Sequence, residues 1–423
     1  MRRPGPGVRP SGWGVGALLA LCVCQAQGTS LDQAVRTGLA IHPQVRSAQA
    51  ELARAGTQVE ITKGGYYPQV SISGGPNEAN FGEVAYDVTA SQMLYDWGRM
   101  RSKVDSAKAS ERQLSATAEV TREDAALDIC ETYLDVLSAQ ARIETVRQFI
   151  ERLGEIRSLT QARGGDGYAD RSEQDRADLE ISRAQEQLAV EKGTLQDARN
   201  QYHILIGEDA DDLQEPQPAS MQRLLDNADL TRVIHDSPLY HKALEDTSVA
   251  EAELRESKSA LLPQVNLEAS ALRREIGGRL ENDSTIALRL RMDTFEGLSN
   301  FRRPTAAQQR LDSAKWSEDA TVRDIRRKLQ NLFDNGETLS WRERSLQQQV
   351  RESGQVGSVY REQFEVGRRD IIDLLTVQRE HFEAERDLVT LNIERKRVEY
   401  RAAAQVGLLG PLLEQHLNLG ANR

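Results

Sequence analysis

The sequence predicts a mainly α-helical protein with a small β part, built from two copies of one helix–strand–strand–long helix–helix unit. Three observations carry this expectation. The 423 residues are 39% hydrophobic, 28% charged and only 5% aromatic, with a mean hydropathy of −0.57. That is too polar for a thick globular core and suits long helices in thin layers. Apolar residues recur in steps of three and four along stretches without proline. Short motifs also return in the same order at a nearly constant offset. His42-Pro43 returns as Ser237-Pro238, and Pro68-Gln69-Val70 as Pro263-Gln264-Val265. The Trp97-Gly98 corner is echoed by Glu296-Gly297, Gly167 and Asp170 by Gly367 and Asp370, and Ile206-Gly207 by Val406-Gly407.

Composition also sets limits. A helical membrane protein needs apolar runs of about 20 residues, and the one strongly apolar run, from Trp13 to Cys24, is shorter. With Arg2 and Arg3 before it and small residues up to Ala26, it reads as a secretory signal over residues 1–26. A lipid-anchored cysteine is disfavoured, because Leu21 and Val23 precede Cys22 and Cys24 where a small residue is expected. Removing the signal takes Arg2, Arg3 and Arg9 and no acid, which moves the net charge from −11 to −14. Nucleic acid is therefore not an expected partner. Cys130 is left alone, so no internal disulfide is possible. Its expected role is a small apolar residue on a helix face.

The first repeat is expected over 27–207 and the second over 231–407. Between them lies a linker, 208–230, acidic and Pro-containing from Glu208 to Pro218. Residues 408–423 form a tail. Each repeat opens with a helix (about 43–64 and 238–260) that Pro68 or Pro263 stops. Strands follow at 68–76 and 83–95, then at 263–272 and 284–293. Val84, Tyr86, Val88 and Ala90 alternate with Ala85, Asp87, Thr89 and Ser91. Ile286, Leu288, Leu290 and Met292 alternate with Ala287, Arg289, Arg291 and Asp293. Period two with one apolar face reads as strand. It suits an ordinary hairpin on a soluble core, and equally a lipid-facing, water-lined barrel.

Long helices come next, at 99–163 and 299–365, then at 168–207 and 370–408. Leu127, Cys130, Leu134, Leu137 and Ala141 form a heptad seam, as do Val146, Phe149, Leu153 and Ile156, and Val322, Ile325, Leu329 and Leu332. A helix of about 22 residues plus one of about 40 nearly matches the 65-residue helix, so the short pair could stack end to end beside it.

Four strands cannot close a barrel, and lipid does not tolerate an open sheet edge. Transmembrane strands would therefore require several chains to share one barrel, and three chains give twelve strands.

The duplicated order, the strand starts Tyr67-Pro68-Gln69-Val70 and Leu262-Pro263-Gln264-Val265, and the segment Leu94-Tyr95-Asp96-Trp97-Gly98-Arg99 resemble the TolC family over about residues 30–410. These are outer-membrane efflux and type I secretion ducts. The resemblance implies a homotrimer with a twelve-stranded outer-membrane β-barrel and a periplasmic α-helical barrel. It also implies two partners, a periplasmic adaptor (membrane fusion) protein and an inner-membrane ABC or proton-driven transporter, with outer-membrane lipid around the barrel. It implies no cofactor.

The resemblance assigns roles at the tunnel tip. Asp373 is expected to face the axis as an aperture ring, where three carboxylates would attract cations. One turn on, Thr376 stands where a second acidic ring would be. Arg369 is expected to latch the closed tip by reaching Glu173, and Phe364 replaces a latch tyrosine, which implies a weaker latch. The adaptor is expected on the tips, at Gly167 and Asp170 and at Gly367, Arg368 and Asp370. The first tip, Gly164-Gly165-Asp166-Gly167, lacks the Lys-Ser/Thr of a phosphate loop and the spaced oxygens of a calcium loop.

The six histidines form no metal-spaced pair, and no nucleophile elbow or nucleotide fingerprint is present. No enzyme is read here. The sequence favours a passive duct for type I protein secretion. Small-molecule efflux is the alternative, and a soluble periplasmic coiled-coil scaffold is the reading from a different class. A hydrolase would need a concave pocket that thin helical layers rarely give.

Overall fold

The computed structural model describes residues 28–76, 84–165, 171–216, 230–276, 279–292 and 299–413. The expected signal segment with Cys22 and Cys24, the tip residues from Asp166 to Asp170, most of the linker and the tail beyond 413 lie outside the described residues.

The first half runs α1 (Leu31–Ile41), α2 (Pro43–Lys63), β1 (Gln69–Pro76), β2 (Val84–Tyr95), α3 (Arg99–Gly165) and α4 (Arg171–Ile206). The second runs α5 (Leu230–His235), α6 (Pro238–Ser259), β3 (Gln264–Ile276), β4 (Arg279–Arg291), α7 (Arg303–Glu365) and α8 (Ile371–Gln405). Two elements go beyond the sequence expectation. Helix α1 is capped by Ser30, whose hydroxyl accepts the Gln33 N–H at 3.3 Å, and α5 is a short helix before the second repeat. Two others shift. Strand β3 runs on to Ile276, and α7 begins at Arg303 after a 3₁₀ turn, Ser299–Arg302, with a proline in its first turn.

Helix α3 has 67 residues, about 100 Å at 1.5 Å per residue. Asp96 starts it, its carboxylate accepting the N–H groups of Gly98 and Met100 at 3.0 and 2.5 Å. The strand-to-helix corner needs two successive left-handed residues, Trp97 at φ 58° and Gly98 at φ 83°. That conformation is costly for tryptophan. The second repeat holds it there: the Trp97 indole donates to the Pro263 carbonyl (3.0 Å), and the Ser259 hydroxyl donates to the Trp97 carbonyl (3.1 Å).

The short helices stack end to end. Gly207, which ends α4, lies against Ile41, the last residue of α1 just before α2, and Gly407, which ends α8, lies against Pro238 at the head of α6. A side chain at Gly407 would meet the proline ring at 2.5 Å, so only glycine fits there. Leu408 and Gly407 N–H groups bond the Ala403 and Ala404 carbonyls, which closes α8 in a Schellman turn.

The main core gathers around Ile129, Cys130, Tyr133 and Leu134 of α3, all fully buried, with side chains from α1, α4, α5 and α8. Cys130 is thus packed as an apolar residue. The Tyr133 hydroxyl sits between the carbonyl oxygens of Thr29 and Gln214, at 2.8 and 2.6 Å. A second core lies near the tip, where Val146, Phe149, Leu153 and Ile156 meet Phe364, Leu374 and Phe382. Phe149 and Phe382 stack there with centroids 4.4 Å apart.

Candidate functional site

Two parts of the chain carry features that a packed soluble domain does not need: the sheet and the helical tip.

The sheet is antiparallel throughout, in the order β1–β2–β3–β4, so the two halves join through β2 and β3. Register lines up Val70, Ala90, Ala269 and Ile286 across all four strands, with Ile72 beside Val88 and Leu267 beside Leu288. Among the described residues nothing covers this apolar face: Ile72 is 77% exposed and Ile286 79%. The opposite face lines up Ser71, Thr89, Ser270 and Thr285 and carries the Arg289–Glu268 ion pair at 2.6 Å. An apolar face left bare beside a polar face with charges inverts the usual half-buried sheet, and it matches strands between lipid and water. At the end nearest the helices, Tyr66, Tyr67, Tyr95, Trp97 and Phe301 are exposed together. Such aromatic girdles mark a membrane interface. Sequence reasoning missed the girdle because its members lie in the corners or, as Tyr95 does, at the very end of a strand, past the alternating runs.

At the second-repeat tip, α7 ends in a Schellman turn. Arg368 N–H bonds the Gln363 carbonyl (2.8 Å) and Gly367 N–H the Phe364 carbonyl (3.0 Å), with Gly367 at φ 76°. Asp370 then caps α8, accepting the Ile372 N–H at 2.9 Å. Gly367, Arg368 and Asp370 are exposed. Gly167 and Asp170 fall outside the described residues. Asp373 is exposed and pairs with Arg369 one turn before it, at 3.2 Å. The Arg369 guanidinium lies over the Tyr360 ring, 3.9 Å from its centroid. Glu173 instead faces Arg163, at 3.9 Å, and Arg163 covers the buried Phe364 ring. Within one chain Arg369 and Glu173 each hold another partner, so a direct contact between them would replace both pairs.

Asp373 does not stand alone. Thr376, Glu380, Glu383, Asp387 and Thr390 follow it at steps of three and four, all exposed. This is an acidic line along one side of α8. Like charges one turn apart cost a helix a few tenths of a kcal/mol each. The pattern was legible in the sequence as charge periodicity.

Ion pairs also tie the two hairpins together along their length. Arg361 reaches Glu155 (2.5 Å), Arg379 reaches Glu180 (2.6 Å), Arg152 reaches Glu385 (2.6 Å) and Arg401 reaches Glu131 (2.6 Å). Arg397 pairs with Asp135 in the same way.

Among the described residues no cluster of His, Cys, Asp or Glu could hold a metal ion, and no helix is long and apolar enough to cross a membrane. The most perturbed carboxylate in the ordinary range is Glu123, where burial raises the pKa to about 7 against the opposing hydrogen bond from Leu409 N–H. It lies among α3, α7, α8 and the helical turn 409–413, away from sheet and tip.

The sequence profile of the outer membrane efflux protein family matches residues 35–208 and again 235–404, one match per repeat. No curated protein is similar enough in sequence to be matched with the chain. Among solved structures, the outer-membrane channel OprN superposes with a TM-score of 0.78 at 18% identity, covering 89% of each chain. The outer membrane protein VceC of Vibrio cholerae gives 0.77 at 15% identity, over 89% of this chain and 96% of that one. The open state of the Neisseria gonorrhoeae MtrE outer membrane channel gives 0.74 at 18% identity, over 90% and 89%. At these identities the likeness is one of fold.

Proposed function

We propose a function from one premise: the chain belongs to the outer membrane efflux protein family. It is an outer-membrane protein with a long helical periplasmic portion, and its family supplies the outer-membrane channel of tripartite export systems. On this premise the chain is a passive exit duct. Any driving energy comes from an inner-membrane ABC or proton-driven transporter, joined to the duct by a periplasmic adaptor.

One observation carries the reading. The four-stranded sheet bares its apolar face and, among the described residues, leaves the outer edges of β1 and β4 without a strand partner. Lipid does not accept open edges. Three copies close them into twelve strands, β1 of one chain against β4 of the next, with the polar face lining the bore. The helices then form a common tunnel. Asp373 becomes a three-fold ring at the tip, continued upward by Glu380, Glu383 and Asp387, and this ring prefers cations. Arg369 and Glu173 hold the tip closed, and the adaptor docks on the tips at Gly167, Asp170, Gly367, Arg368 and Asp370.

The cargo is a secreted protein, as the missing small residues before Cys22 and Cys24 favour. The family's description as an efflux protein favours a second reading, small-molecule export through the same duct. Cells lacking the chain separate the two. Loss of a protein from the medium, without new sensitivity to toxic compounds, supports secretion, and the reverse supports efflux. No change in either overturns the duct.

A further inference from the structure

Where the sheet passes into the helices, a cavity of about 460 Å³ lies between the end of α2 and the first turns of α3. Its walls bring together Lys63, Arg101 and Lys108 with Tyr66 and Tyr67. Asp105 is the one carboxylate lining it. Three cations against one acid is a local reversal in a chain of net charge −11.

The charges are not spent on one another. Asp105 is engaged with Arg255 of α6, at 3.9 Å, and Lys63 with Glu60 of its own helix, at 2.6 Å. Arg101 and Lys108 sit two turns apart on one side of α3, both exposed, and among the described residues neither pairs with a carboxylate. Tyr66 and Tyr67 are exposed beside them. Gln92, which stands in the apolar row beside Leu267, donates to the Tyr66 carbonyl at 3.0 Å. The turn carrying the two tyrosines therefore lies against the apolar side of the sheet. Along the molecule the order is apolar band, aromatic girdle, cationic cavity. That is the order in which a bilayer presents acyl chains, glycerol backbone and phosphate.

We propose that this cavity binds the headgroup of an anionic phospholipid in the periplasmic leaflet of the outer membrane. Arg101 and Lys108 hold the phosphate, Arg101 with its forked donors and Lys108 as a point charge. Tyr66 and Tyr67 lie along the glycerol region, where an aromatic ring has one apolar and one wet side. The inference rests on the reading of the sheet as the membrane-spanning part.

The test uses the full chain in phosphatidylcholine vesicles with phosphatidylglycerol added in steps. Insertion is read by resistance to alkaline extraction, and retained lipid by native mass spectrometry after transfer to mild detergent. Wild type is expected to retain phosphatidylglycerol over phosphatidylcholine. The double variant Arg101→Gln, Lys108→Gln is expected to insert normally and to lose that preference by roughly thirty-fold, at about five-fold for each cation near a lipid surface. The charge-conserving Lys108→Arg variant is expected to keep it. Equal retention by wild type and double variant overturns the inference. Displacement of the lipid by millimolar inorganic phosphate also overturns it, by assigning the cavity to a free anion. Failure of the wild type to insert at all overturns the membrane reading itself, and the extraction step reports that separately.

Discussion

Replacing Leu288 by arginine puts a guanidinium on the bare apolar face of β4, between Ile286 and Leu290 and opposite Leu267. Leu288 is 68% exposed in the single chain, so little packing within the chain is lost. What changes is the surface offered to lipid. An arginine near the middle of a lipid-facing band costs about 2–4 kcal/mol. A barrel shared by three chains carries three copies, roughly 6–12 kcal/mol in all, which rivals the whole stability of a typical domain at about 5–15 kcal/mol. Thr285→Arg is the matched control. It lies on the opposite face, across from Ser270, and points into water in the proposed barrel. The assay is refolding into phosphatidylcholine vesicles, read as the inserted fraction and as the urea midpoint. Leu288→Arg is expected to abolish or sharply lower insertion, and Thr285→Arg to leave it close to wild type. Equal insertion of the two variants would refute the assignment of faces.

Three further outcomes are expected. Asp373→Ala should weaken the preference for cations in planar bilayers, read as a reversal potential moving toward zero, and adding Glu380→Gln should move it further; an unchanged potential would remove the acidic line from the conduction path. Arg369→Ala or Glu173→Ala should raise single-channel conductance if these residues close the tip, and equal conductance would count against the latch. Glu123 gives a pH signature. Its folded pKa is about 7 against an ordinary 4.5, so the folded state holds a proton there that the unfolded state has lost. Stability from this group is complete below about pH 4.5 and falls as pH rises toward 7. Glu123→Gln should therefore stabilise the protein by on the order of 2–3 kcal/mol at pH 8 and by little at pH 4, measured by thermal unfolding at both.

The repeat architecture was written in the sequence because its punctuation is local chemistry. Proline can open α2 and α6, and glycine at 207, 367 and 407 can take the left-handed turn that ends a helix. The apolar seam Val146, Phe149, Leu153 and Ile156 is buried, as its spacing implies. Strand β3 was harder to bound. Arg273, Arg274 and Glu275 break the alternation, yet the backbone ladder continues to the Ile276–Arg279 pair. The alternating pattern there carries no signal. Ion-pair choice was not legible either. Arg369 has several acids within reach in sequence, and only packing decides that it lies on Tyr360 beside Asp373 while Glu173 turns to Arg163. The cationic cavity depends on bringing residue 63 next to residues 101 and 108, which no local pattern encodes.

The central claim is that this chain shares one membrane barrel with two copies of itself. The most direct measurement is the native mass of the mature protein, extracted from fractionated bacterial envelopes in mild detergent. A stable trimer confined to the outer-membrane fraction is the predicted result. A monomer released without detergent would contradict the claim and make the bare sheet face a docking surface in a soluble periplasmic protein.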